Sequence, residues 1–195
     1  MVKKLWEARP SLKQSSNLYK YEKFISNKYN QKFDQNYKKI LNWSIKNSDE
    51  FWSTIWDFCK VIGIKGKKKI KKSKIFYKNI FLPNSKLNFA ENLLTKNDNS
   101  KALTFLSENG FREERSWKQL RINVSKLIIF LKKINIKEKD RVAAYMPNII
   151  ETVECFLSTS AIGAIWSSCS PDFGINGIIE RFSQIKPKVL FVVDR

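Results

Sequence analysis

Any chemistry in this chain has to be done without histidine, which is absent from all 195 residues. Ser-His-Asp and Cys-His nucleophile pairs are therefore excluded within it, as are zinc sites that need an imidazole. Cys59, Cys155 and Cys169 are an odd, widely spaced set. They argue for a reducing compartment and against a disulfide framework, and they fall short of the thiolates a structural metal needs. Each is expected to be a small buried apolar side chain. The carboxylates offer no obvious acid/base pair. Glu113 and Glu114 are adjacent and point to opposite sides of an extended segment. Glu151 and Glu154 share a helix face, where two acids could bind a cation, but a solvated face is the expectation. The six glycines never form a Gly-rich phosphate loop. Gly174 and Gly177 form a G-x-x-G at a strand-to-helix turn, where a helix N-terminus could hold an anion; a tight turn explains them as well. The hydroxyl-rich stretch Ser167-Ser168-Cys169-Ser170-Pro171-Asp172 lies where a parallel strand ends, the edge at which α/β sheets place ligands. Asp172 could equally be a turn or cap residue.

These residues need elements to position them. Leu18, Tyr21, Ile25 and Tyr29 recur at helical spacing over Asn17–Tyr29. A second helix is expected from Asp34 to Lys46. A third starts with Ser48 as its cap, carries Phe51, Trp52, Ile55, Trp56, Cys59 and Ile62 as an apolar stripe, and stops at Gly63. Lys65–Lys74 holds seven lysines and no acid, which reads as a self-repelling solvated loop; polyphosphate, anionic lipid or nucleic acid would suit it if it binds anything. A strand over Ile75–Phe81 and a turn at Pro83-Asn84 follow.

Beyond residue 100 the rhythm changes. A hairpin turns at Asn109-Gly110 between strands Ala102–Ser107 and Phe111–Arg115. Ser116 caps a long helix. Strands at Arg141–Met146, Ala164–Cys169 and Lys188–Val193 then alternate with helices at Ile149–Ile162 and Ile175–Ile185, which predicts crossover units in a mainly parallel sheet. The last strand is expected to be an uncovered edge, with poor solubility as its consequence.

Composition narrows the function classes. Apolar residues make up 43% and aromatics 13%, too many for a disordered chain. No apolar run reaches the roughly 18 residues of a membrane span, and the first ten residues lack the apolar core of a secretory signal. The formal net charge of +19 comes from lysine far more than arginine. Together with abundant Asn and Ile, that is the signature of an A+T-rich genome rather than of a nucleic-acid interface, which favours Arg.

Trp43-Ser44-Ile45 with Phe51-Trp52-Ser53-Thr54-Ile55-Trp56-Asp57-Phe58 resembles the amino-terminal region of acyl-CoA synthetases of the acetyl-CoA synthetase type. Leu5-Trp6 with Pro10, Leu87-Asn88-Phe89-Ala90-Glu91-Asn92-Leu93-Leu94 and Asp140-Arg141-Val142-Ala143 extend the likeness. Gly163-Ala164-Ile165-Trp166-Ser167-Ser168-Cys169-Ser170-Pro171-Asp172-Phe173-Gly174 is similar to the acetoacetate branch of that family rather than the acetate branch. The resemblance implies an α/β fold: a helical amino-terminal region over 1–95, then, over 96–195, the first βαβ units of an adenylate-forming-enzyme large domain, incomplete. It implies an acid–thiol ligase that uses ATP, CoA and Mg²⁺ on acetoacetate or a similar short acyl acid, through an acyl-adenylate. It also implies a cytoplasmic location, with no nucleic acid and no membrane as partner. The catalytic residues, the metal site and the phosphate loop of that family are expected downstream of Arg195, so that this chain is an inactive amino-terminal part. By position, the loop that approaches CoA in the acetate branch is here Ser170, Pro171 and Asp172, where the acetate branch carries Phe-Gly-Gly. Two other readings stay open: a synthetase for another short acyl acid, and a stand-alone basic module that binds anions or nucleic acid through Lys65–Lys74.

Overall fold

A computed structural model describes residues 5–193. The chain packs as two units, one ending at Lys86 and one beginning at Leu87.

The first unit is built on four helices: α1 Pro10–Ser15, α2 Asn17–Tyr29, α3 Tyr37–Lys46 and α4 Ser48–Phe58. Ser16 caps α2 by accepting from Tyr19 N, and the helix ends on Asn30 in the left-handed region. Tyr21, Ile25, Phe33, Ile40 and Trp43 form the core, with Phe51, Ile55 and Phe58 of α4 packed against it. Within that core the Tyr21 hydroxyl and Thr54 Oγ1 lie 2.7 Å apart.

Three expectations here need correcting. Helix α3 does not begin at Asp34, because Asp34 and Gln35 both have positive φ (57° and 54°). The buried Glu22 carboxylate accepts from Gln35 N at 2.8 Å and holds that turn, and Asn36 becomes the cap. Ser48 is the first residue of α4 rather than its cap, which is Asn47. The helix closes at Phe58 without reaching Gly63, since Lys60 already has φ 52°.

The lysine run is not a free loop. Ile70 is buried, and β1 (Ile70–Lys71) pairs antiparallel with β2 (Ile80–Phe81), Ile70 opposite Phe81. Phe76–Lys78 is a 3₁₀ turn rather than part of a strand. Lys65 Nζ meets Asp57 Oδ1 at 2.5 Å, Lys69 pairs with Glu50, and Lys72 Nζ lies 3.5 Å from Asp49 Oδ1. The acids of α4 thus neutralise three of the seven lysines of the run. Gly66 is needed for close approach: a Cβ there would sit 2.3 Å from the Pro83 carbonyl oxygen.

The second unit opens with α5 (Phe89–Leu93) and the hairpin β3 (Lys101–Leu106) and β4 (Arg112–Ser116). Gly110 N donates to Ser107 O at the turn. Helix α6 (Trp117–Lys133) starts on a capping box in which Ser116 and Gln119 exchange side-chain bonds. Strand β5 (Arg141–Tyr145), α7 (Ile150–Ala161), β6 (Ile165–Cys169), α8 (Ile175–Ile185) and β7 (Val189–Val192) follow.

The sheet order is β6-β5-β7, with both pairings parallel. Val142, Ala143 and Ala144 of the central strand have no exposure, which requires cover on both faces. Val142 packs with Leu131, Ile136 and Ile162 from the α6/α7 side, while Ala143 packs with Cys169 and Phe182 under α8. Among the described residues β7 is an edge strand, with Leu190 and Val192 exposed.

Candidate functional site

Tyr145, Cys169 and Val192 lie side by side where the three parallel strands end. The chain leaves β5 for β6 on one side and then crosses to β7 on the other. Parallel sheets place ligands at this carboxyl edge. The loop after β5, Met146–Ile149, lies along that edge. The Ser170–Gly174 loop after β6 stands beside it, tied down by the Tyr145 hydroxyl, which donates to Pro171 O at 3.0 Å.

The Ser170–Gly174 loop is a closed turn. Phe173 N donates to Ser170 O at 3.1 Å. The Ser170 hydroxyl donates to Asp172 Oδ2 at 2.5 Å, and Asp172 N donates weakly back to Ser170 Oγ at 3.4 Å. Helix α8 begins on Gly174 with no side-chain cap. The Arg181 guanidinium sits 4.0 Å from the centre of the Phe173 ring, a cation–π contact that keeps a positive charge beside the loop. Ser170, Pro171 and Asp172 are thus brought together in one hydrogen-bonded turn. An ionised carboxylate is too weak a base to make Ser170 a nucleophile at neutral pH, and no imidazole exists to help.

A second polar cluster ties the hairpin to α7. Arg115 reaches Glu113 at 2.5 Å and Glu151 at 3.1 Å, and its Nε lies 3.4 Å from Glu154 Oε1 without hydrogen-bond geometry. Asn123 Nδ2 donates to the same Glu154 oxygen at 2.8 Å. Glu154 is only 4% exposed, so the expected solvated face is half wrong: Glu151 is at the surface and Glu154 is inside. Burial pushes the Glu154 carboxyl above its ordinary range, against the opposing pull of Asn123 and Arg115. Burial alone would lower the Arg115 pKa, but its acid neighbours outweigh that and raise it. Glu113 and Glu114 do face apart: Glu114 pairs with Arg112 and Lys101. The i,i+3 spacing of Glu151 and Glu154 was the one local signal of this cluster; Arg115, 36 residues from Glu151, could not be paired with it from spacing.

Cys155 and Cys169 are buried and Cys59 is exposed, against the expectation of burial for all three. Burial, followed by the charges of Glu154 and Glu151, pushes the Cys155 thiol up to about 11, which disfavours the nucleophilic thiolate at neutral pH. Among the described residues no three His, Cys, Asp or Glu side chains are grouped to hold a metal ion. Nor do they offer a glycine cradle for a triphosphate: Gly66 is filled by the Pro83 backbone, and Gly174 faces open space. No described helix is long and apolar enough to cross a membrane.

The family described as AMP-binding enzyme matches residues 90–195. Acetoacetyl-coenzyme A synthetase of Rhizobium meliloti (strain 1021) is 38% identical over 190 residues, covering 97% of this chain and 29% of that protein. Acetoacetyl-CoA synthetase of Xenopus tropicalis is 40% identical over 163 residues, 82% of this chain and 24% of that protein. The solved acetoacetyl-CoA synthetase from Streptomyces lividans superposes with a TM-score of 0.91 at 27% identity, over 99% of this chain and 30% of that one. The chain therefore spans less than a third of the length of these relatives.

Proposed function

The chain belongs to the AMP-binding enzyme family, and on that premise we propose that it forms the amino-terminal part of an acetoacetate–CoA ligase. The reaction assigned to the whole protein joins acetoacetate to CoA through an acyl-adenylate, with ATP giving AMP and diphosphate. The observation that carries this reading is a likeness to acetoacetyl-CoA synthetases that runs through the helical unit as well as the AMP-binding part. The family's shared nucleotide-binding region alone would not produce that.

This chain's share of the work is structural and positional. Mg²⁺ is assigned to none of its residues, since among the described residues no three His, Cys, Asp or Glu side chains are grouped to hold a metal ion. Ser170, Pro171 and Asp172 are assigned to the surface that faces CoA. Their place at the carboxyl edge of the sheet supports this, as does the cation that Arg181 holds against Phe173. Asp172 opposes the phosphates of CoA, so its charge works against binding. In the full-length enzyme, Asp172→Asn is expected to lower KM for CoA by up to about fivefold and Arg181→Gln to raise it similarly, the scale of an exposed charge pair.

The reading frame beyond codon 195 should be determined and its continuous product assayed for thioester formation dependent on acetoacetate, ATP and CoA. The 195-residue chain by itself should release no diphosphate. Release by this chain alone overturns the assignment, as does a full-length product indifferent to acetoacetate.

A further inference from the structure

The β1–β2 hairpin of the first unit is two different things along its length. Its base is fixed: Lys65, Lys69 and Lys72 pair with Asp57, Glu50 and Asp49 of α4, and Phe81 meets Trp52 edge to face with ring centres 5.5 Å apart. Its tip is not. Lys74 and Lys78 within it, and Lys71 in β1 just before its neck, have no carboxylate partner among the described residues. Between them Phe76 is 88% exposed, Tyr77 80% and Ile75 43%. Ser73 N donates to Asn79 Oδ1 at 2.7 Å and closes the loop at its neck. Inside it, the 3₁₀ turn is held by Lys78 N to Ile75 O and Asn79 N to Phe76 O. Two aromatic rings and an aliphatic side chain are therefore presented on one short, closed turn flanked by unpaired ammonium groups.

We propose that this tip is an interfacial anchor for an anionic lipid surface. Aromatic rings settle at the headgroup level of a bilayer, and lysines next to them meet the negative headgroups. A single-stranded nucleic acid fits less well. Stacking sites for bases favour arginine beside the ring, whereas this tip has lysine alone and an aliphatic Ile75. The lysine run, read as a solvated loop from its sequence, thus divides between structural ion pairs and a charged collar. The anchor does not depend on the reaction assigned above.

The test is co-flotation of the 195-residue chain with phosphatidylcholine vesicles, with and without phosphatidylserine. Binding is expected only with phosphatidylserine and should weaken as salt is raised. K71Q/K74Q/K78Q should lower the partition coefficient on the order of 100-fold, from about fivefold per lysine near an anionic surface. F76S/Y77S should abolish insertion, read as loss of tyrosine and tryptophan fluorescence change on vesicles. None of these five side chains is buried, so both variants should keep the far-ultraviolet dichroism of the parent, and K67Q/K68Q should bind more strongly than the tip variants. The proposal is overturned by equal binding to neutral vesicles, by wild-type failure to float, by tip variants that bind like the parent, or by an oligothymidylate that displaces the chain from vesicles at lower concentration than it takes to saturate them.

Discussion

Arg115 meets three carboxylates, and the buried one sets what its loss would do. With the guanidinium gone, Glu154 keeps only Asn123 and must either ionise uncompensated or take up a proton. Arg115→Met should therefore destabilise the second unit by about 3 kcal/mol, measured as a fall in the urea midpoint. Glu154→Gln keeps a partner for Asn123 and should cost far less. The pH dependence has a definite sign. The Glu154 carboxyl is raised in the folded chain above its ordinary value of 4.5, so the native state binds the proton more tightly than the unfolded one. Its contribution to stability is present below 4.5 and declines as pH rises through the folded value. Glu50 does the opposite. Lys69 first, and then Tyr29, hold it below 4.5. The stability it adds, about 1 kcal/mol after allowing for its partial exposure, is present above 4.5 and is lost as pH falls through the lowered value. Glu50→Gln should flatten the acid limb of a stability–pH curve, and Glu154→Gln the limb at higher pH. In the first unit, Tyr21→Phe removes a buried hydroxyl contact and should cost about 1 kcal/mol; Thr54 still donates to Phe51 O at 2.8 Å.

At the scale of elements, Ser116→Ala removes the hydroxyl that accepts from Gln119 N, while Ser116 N still donates to Gln119 Oε1; it should cost about 1 kcal/mol, seen as a lower melting temperature without loss of the hairpin. Gly66→Ala should cost more, because the atom in its way is backbone. The elements legible from sequence were those whose signal is local. Helix α2 runs over the residues that periodicity predicted and α8 over the expected Ile175–Ile185, and the alternation after residue 100 announced the parallel sheet. Three of the failures share one cause, a partner distant in sequence. Helix α3 starts late because Glu22 grips Gln35, 13 residues away. The lysine run forms a strand because α4 supplies the acids and Ile70 has a core to enter. Glu154 is buried because Arg115 and Asn123 meet it there. The Ser170–Asp172 loop was placed correctly at a strand end, since that follows from alternation alone. Its neighbour Arg181 went unnoticed, because a ring eight residues upstream on the preceding loop gives no periodic signal.

For the molecule as a whole, charge and the open sheet edge dominate. With 37 cations against 18 acids, most lysines have no acid available to them, and self-repulsion opposes folding. Moderate salt should raise the melting temperature by a few degrees through screening; a fall would mean that the ion pairs of α4 outweigh the repulsion. Among the described residues one side of β7 has no partner strand, with Leu190 and Val192 exposed, and in the 195-residue chain by itself such an edge invites strand addition. Leu190→Lys should raise solubility, measured as the concentration at which light scattering appears, with little effect on the melt.

The distribution of sulfur gives the protein a built-in clock. Cys59 lies open in the helical unit, whereas Cys155 and Cys169 are sealed within the α/β unit. An alkylating reagent should add one mass increment at once and two more only as fast as the sheet and its covering helices come apart. Counting those increments over time would measure the opening of one half of the chain without disturbing the other.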